Sequence, residues 1–346
     1  MNKNKNIAYL DLANVISAIA VVILHANASF WHFSATGNYW PRANVIECLF
    51  YFCVPIFFMI SGITLIDYNK RYSLKEYFKK RISKVFIPYV FWSFFAIAYN
   101  IFFIGSIKTY DVTWTLIINK LLSGTGMEIY WFFIPLFLIY LIIPLFSMID
   151  DKQKRIIFLY FTTICFIFNA LVPFILGILN PDIKPLNIGI EAKCLIYIGL
   201  GYLIHNCRIK QNLKHMFYFL ALASLLVHII GTYILSMDAN RIILTYKGFT
   251  NVPGILYATG IFLFLKENGE KIMHNKIVYT IVTFLRKYTF GIYLLHIYIL
   301  RTILKLYIVD AGSWQWVTIM PFVAIIASIL ITMIFKKIPI LNKLIP

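Results

Sequence analysis

Asp11, Asn14 and His25 stand in one apolar run, YLDLANVISAIAVVILHAN. On an α-helix, separations of eleven and fourteen residues come within about 40° of whole turns, so the three side chains project from one side, with Ala18, Val21 and Val22 between them. At about 1.5 Å per residue, His25 lies about 17 Å from Asn14 along the axis. Imidazole near neutral pH suits a general base that removes a proton from an acceptor hydroxyl. The structural alternative is a buried histidine hydrogen-bonded to a neighbouring helix. Asp11 reads either as an interfacial cap or as a carboxylate that positions a cationic or hydroxyl partner. Because ionisable groups facing lipid are costly, a stripe of this kind belongs toward a bundle interior.

Other residue types with chemical potential are scattered. Lys79, Lys80, Arg81 and Lys84 form a basic segment that can attract several phosphate charges. Membrane topology alone is an equally good reason for charges there. Ser61-Gly62 reads as a site of close helix packing or as a narrow passage. Trp131 and Tyr140 read as packing residues, with Trp131 also a possible pocket wall. His296 and His228 read as structural histidines, and Glu47, Glu128, Glu191 and Lys193 as a polar cluster at one rim. No HExxH, no paired His/carboxylate spacing and no Cys/His cluster supports a metal site. GLGYLIHN lacks the strand-turn-helix setting of a nucleotide motif, and its two glycines read as packing. Cys48, Cys53, Cys165, Cys194 and Cys207 show no ligand spacing and read as reduced core residues.

The elements that must hold these residues follow from composition. Of 346 residues, 61% are hydrophobic and 13% charged, and the mean hydropathy is +0.79. Apolar runs of roughly 20 residues recur, each matching the ~30 Å hydrocarbon layer. The chain is therefore expected to be an all-α polytopic membrane protein, one domain over 1–346. Ten helices are predicted near 7–28, 45–66, 85–105, 129–149, 156–179, 190–206, 215–236, 249–265, 288–305 and 314–335. The first span has no cleavage signature and should remain as a membrane helix. The net charge of +18 does not imply nucleic acid, because no soluble basic face is present to bind it. Lys3 and Lys5, the segment 70–84, and the later groups at 152–155, 208–214, 266–287 and 336–343 hold 23 of the 32 basic residues. The other nine, including Lys120, Lys184, Lys247, Arg301 and Lys305, fall between the opposite helix ends. That bias places both termini on the cytoplasmic side of a plasma membrane. No repeat between the two halves is visible, which weighs against a transporter. The loops at 29–44, 106–127 and 237–248 are too short to fold as domains.

Five blocks in this chain resemble the membrane-bound acyltransferase 3 family. They are YLDLANVISAIAVVILHA in the first helix, VPIFFMISGITL at 54–65, YFKKRISKVFIPYVFW at 77–92, YWFFIPLFLIYLIIPL at 130–145 and KYTFGIYLLHIYIL at 287–300. The family pattern in the first helix is an Asp, then an Arg, then a His after ten intervening residues. Asn14 departs from it by standing at the Arg position, and a neutral amide lacks the cationic fork of a guanidinium. Tyr51 and Tyr130 stand where related polysaccharide O-acetyltransferases often carry Arg and His.

The resemblance implies a bacterial, multi-pass enzyme moving an acyl group, commonly acetyl from acetyl-CoA, to a hydroxyl of a cell-envelope polysaccharide or lipid-linked sugar. Acetyl-CoA or another acyl-CoA would be a co-substrate, with no bound cofactor. His25 would be the catalytic histidine, supported by Asp11. Asn14, Lys80, Arg81 and Lys84 would form the donor-binding set, and Ser61, Trp131 and His296 would line the acceptor site or passage. Two other functions remain open at this point. One is a transporter or flippase of a lipid-linked sugar; the other, suggested by Asn14, is a catalytically weakened member serving as an assembly partner.

Overall fold

The structure, a computed structural model, describes residues 7–179, 189–307 and 309–346. Lys3, Lys5 and Lys184 fall outside the described residues, as does the side chain of Glu191. The described residues contain α-helices and no strand. In chain order the helices are α1 (Ala8–Ala26), α2 (Trp40–Phe50), α3 (Cys53–Leu65), α4 (Leu74–Arg81), α5 (Ile87–Tyr99), α6 (Trp114–Ser123), α7 (Phe133–Ser147) and α8 (Asp151–Phe166). They continue as α9 (Val172–Leu179), α10 (Ile190–Lys193), α11 (Leu195–Asn206), α12 (Gln211–Asp238), α13 (Val252–Met273), α14 (Lys276–Arg286), α15 (Thr289–Leu306) and α16 (Trp314–Lys337). Single π-helical turns at Ile82–Phe86 and Ile167–Leu171 keep α4 with α5, and α8 with α9, in continuous rods, and a third at Asn100–Ile104 extends α5 to Gly105.

Among the described residues, eight helical segments are long and apolar enough to cross a membrane, and Leu195–Asn206 is a shorter apolar helix. The chain is thus a multi-pass, all-α membrane protein, and each of the ten predicted spans is helical. Several bounds shift for local reasons. The second span starts at Trp40, with Pro41 in its first turn where no intrahelical N–H is needed, and breaks between Phe50 and Cys53. The eighth continues to Met273, carrying Lys266, Glu267, Glu270 and Lys271 beyond its apolar part.

Three helices were not predicted: α4, which carries the third span back to Leu74, and the two separate helices α6 and α14. In the 106–127 loop, Thr113 Oγ1 accepts from Leu116 N at 3.1 Å to start α6, and Gly124, at φ +66°, ends it. In the 266–287 segment, Asn275 Oδ1 accepts from Ile277 N and Val278 N to start α14. Both are amphipathic and leave apolar residues on the surface: Trp114, Ile118 and Leu122 in α6, and Ile277, Ile281 and Phe284 in α14. This is how helices lying in a bilayer interface are built.

The bundle is arranged around α1, which packs on α3, α13, α15 and α16. Small or β-branched residues on its buried faces, Ala13, Val15, Ser17, Ala18, Ala20, Val21 and Val22, allow that close enclosure. α1 and α15 run in the same direction, since Asp11 meets Arg286 just before α15 and His25 meets His296 near its middle. The two ends of the bundle are named below by Asp11 and His25. α3 and α11 approach until a Cβ on Gly62 would sit 2.8 Å from the Ile198 oxygen, and one on Gly201 would sit 2.5 Å from the Met59 oxygen. Helix packing therefore accounts for Gly62 and for the glycines of GLGYLIHN. At the Asp11 end, buried Lys154 at the start of α8 pairs with Asp67 at 2.6 Å and Asp151 at 2.9 Å, joining α8 to the chain after α3.

Candidate active site

At the Asp11 end, the Arg286 Nε–H donates to Asp11 Oδ1 at 3.2 Å, and the Thr289 hydroxyl donates to the Arg286 carbonyl at 3.2 Å. These contacts hold a half-exposed guanidinium over a cavity of about 220 Å³ whose lining includes Asn14, Ser61, Tyr140, Arg286 and Thr289. The cation missing at position 14 of α1 is thus present in space, contributed from the end of α14. Sequence reading assigned Arg286 only to the topology charges. The available clue was its place one residue before the KYTFGIYLLH block, but linear distance from Asp11 concealed the contact.

The predicted donor-binding residues separate in the structure. Asn14 lines the cavity. Arg81 stands behind its wall, with the guanidinium carbon 5.4 Å from the Tyr140 ring centre and 5.8 Å from that of Tyr77. Lys80 is turned to the outside of α4, paired with Glu76 at 2.8 Å and 3.9 Å from the centre of the Tyr72 ring. Lys84, in the π-helical turn, is exposed. Ser61 reaches the cavity while its hydroxyl donates to the Phe57 carbonyl at 2.9 Å.

Beyond this cavity lies a second one, of about 140 Å³, lined by His25, Glu47, Tyr51, Cys53, Trp31, Trp131 and Phe249 among others. Phe132 and Tyr293 belong to the walls of both, with ring centres 5.6 Å apart. Phe132 stacks on Phe58, and the Tyr293 hydroxyl donates to the Ile129 carbonyl. Two aromatic rings therefore separate a chamber lined by the Arg286 cation from a chamber containing a histidine.

Among the described residues His25 has no hydrogen-bond partner, and its ring centre is 5.2 Å from that of His296. His296 is fully buried; since a carbonyl only accepts, its Nδ1–H donates to the Ile292 oxygen at 2.8 Å, leaving Nε2 as the acceptor nitrogen. That bond fits the structural reading of His296, and the same geometry places its ring beside His25. His228 is buried outside the cavity, edge-on to Tyr51.

Of the residues expected to form a rim cluster, Glu47 and Glu128 stand in two separate ion pairs. Glu47 meets Lys247 at 3.2 Å, both buried, and Asn27 Nδ2–H donates to Glu47 at 3.4 Å. Lys247 Nζ lies 3.6 Å from the centre of the Tyr51 ring. Burial works against this ammonium charge, but Tyr51 and Glu47 beside it outweigh that effect and hold Lys247 above the ordinary lysine value. Elsewhere, Arg301 pairs with Glu128 through two contacts, one of them at 3.0 Å. Trp131 stacks on Phe249, with ring centres 5.2 Å apart and planes at 16°. It forms part of the His25 cavity and also of a larger cleft, about 790 Å³, that opens at this end. Four of the five cysteines are buried, Cys207 is half-buried, and no disulfide joins them. Among the described residues, no group of three His, Cys, Asp or Glu residues could hold a metal ion.

The fold and these chambers define a polytopic membrane protein with a histidine-lined cavity toward one end and an arginine-lined cavity toward the other. A family model described as an acyltransferase domain, that of acyltransferase 3, matches residues 7–335, and the chain belongs to this family. No curated protein and no solved structure matches the chain. It is accordingly a membrane acyltransferase.

Proposed function

We propose that the protein is an O-acetyltransferase that takes acetyl from acetyl-CoA at the Asp11 end and gives it to a hydroxyl of an envelope carbohydrate or lipid-linked sugar at the His25 end. One observation carries this reading: the Phe132 and Tyr293 rings lie between the two chambers and line both, so displacement of those side chains would let a thioester entering past Arg286 meet, near His25, a hydroxyl entering past Trp131. Arg286, set by Asp11, offers the planar donor fork that phosphate oxygens accept, with Arg81 behind Tyr140 as a second cation.

His25 accepts the proton of the acceptor hydroxyl as its oxygen attacks the thioester carbonyl. The new C–O bond forms, the C–S bond breaks, and the imidazolium returns the proton to the departing thiolate. Products are the O-acetyl ester and CoA thiol. His296 packs against the His25 ring and keeps it in place, while Trp131 and Phe249 offer aromatic faces to the acceptor. The positive-inside charge bias supports placing the Asp11 end, and both termini, in the cytoplasm.

The test is transfer of labelled acetyl from acetyl-CoA by the full-length protein in vesicles, followed by mass analysis of the modified envelope fraction. His25→Ala should lower the rate at least about 100-fold while leaving the protein folded, as expected for loss of a general base. Absence of transfer to any envelope acceptor, or an undiminished rate in His25→Ala, would overturn the reading.

A further inference from the structure

The large cleft at the His25 end has an unbalanced charge. Lys120, Arg301 and Lys305 line it against one carboxylate, Glu128, and that carboxylate is taken by Arg301. Among the described residues the two lysines hydrogen-bond only to backbone carbonyls and pair with no carboxylate: Lys120 Nζ donates to Thr125 at 3.3 Å and Lys305 Nζ to Ile104 at 3.5 Å. Of the nine basic residues that the topology reading assigns to this end, three share this cleft. The grouping is notable because the positive-inside bias drains cations from that side.

α6 gives the cleft a depth. Trp114, Ile118 and Leu122 follow one another at i, i+4 and i+8, with Trp114 78% and Leu122 73% exposed. Such a stripe is buried in the acyl boundary of a bilayer, with the polar side of the helix at the headgroups. Lys120 is on that polar side and lines the cleft. The unpaired ammonium groups therefore stand where lipid phosphates lie, and Trp131 leads from there to His25.

We propose that this cleft binds the phosphate of a lipid-borne acceptor at headgroup depth, holding it so that the attached hydroxyl passes Trp131 into the His25 cavity. The proposal rests on the acceptor side being the His25 side. It selects, from the two acceptor classes above, the one joined to a membrane anchor through phosphate.

Calorimetric titration of the full-length protein in uncharged detergent needs no turnover and so is independent of the acetyl-transfer assay. Farnesyl phosphate should bind saturably and farnesol should not. A Lys120→Gln/Lys305→Gln variant should weaken farnesyl phosphate binding about tenfold, near 1.4 kcal/mol, and Lys120→Arg/Lys305→Arg should restore it. Unchanged acetyl-CoA binding in the same variants would show that the fold and the Asp11 end are intact. Equal farnesyl phosphate affinity in the wild type and the Gln variant would overturn the proposal. Inorganic phosphate binding as tightly as farnesyl phosphate would also overturn it, by assigning the cleft to a soluble anion.

Discussion

Asn14 and Arg286 show how a charge can change position in sequence while keeping its place in space. α1 brings a neutral amide to the cavity near Asp11, and the cation comes from α14, held by that same carboxylate at 3.2 Å. Arg286→Gln should raise the KM for acetyl-CoA about tenfold with a smaller change in kcat, because a phosphate-binding cation acts mainly before the chemical step. Restoring a guanidinium from the other helix, Asn14→Arg in the Arg286→Gln background, should recover most of that loss. Steady-state kinetics with labelled acetyl-CoA distinguishes this result from a purely structural role, for which Asn14→Arg would give no recovery. The polar stripe of Asp11, Asn14 and His25 was legible from helical periodicity. Arg286 was not, because no local pattern reports a contact between residues 275 positions apart.

Among the elements, α3 and α11 show most directly what the bundle requires. Their backbones meet at Gly62 and Gly201, and the Met59 oxygen occupies the place a Gly201 side chain would need. Gly201→Val should destabilise the protein by about 1–3 kcal/mol, since neither helix backbone can move aside without disturbing its other neighbours. A fall of several degrees in the unfolding midpoint in detergent would register it, with loss of acyl transfer following from loss of fold. The apolar spans were legible because length and hydropathy alone set them. α6 and α14 were obscured by short length and charge, although Thr113, Gly124 and Asn275 supplied the caps that would have marked their ends.

At the scale of the whole molecule, the proposed orientation rests on the charge bias, which predicts that the Asp11 end faces the cytoplasm. Ser73 at the cap of α4 and Asn342 after α16 should share one membrane face, and Thr109 before α6 should lie on the other. Cysteines introduced singly at these exposed positions, with Cys207 changed to Ser, should react with an impermeant maleimide from opposite sides of oriented vesicles. Labelling of Ser73→Cys and Thr109→Cys from the same side would reject this topology. The orientation matters to the proposed function because a cytoplasmic donor and an acceptor at the far face would have to meet across the Phe132 and Tyr293 rings between the two chambers.

By itself the sequence determined the all-helical membrane class, the family blocks and the candidate status of His25, because each depends on composition or on spacing within one segment. Only the tertiary structure decided which cations attend Asn14, which ring stands beside His25 and how Lys80 and Lys84 differ from Arg81. Those outcomes depend on helix crossings and rotations, which bring together residues from α1, α3, α7, α14 and α15 and which a one-dimensional pattern does not encode.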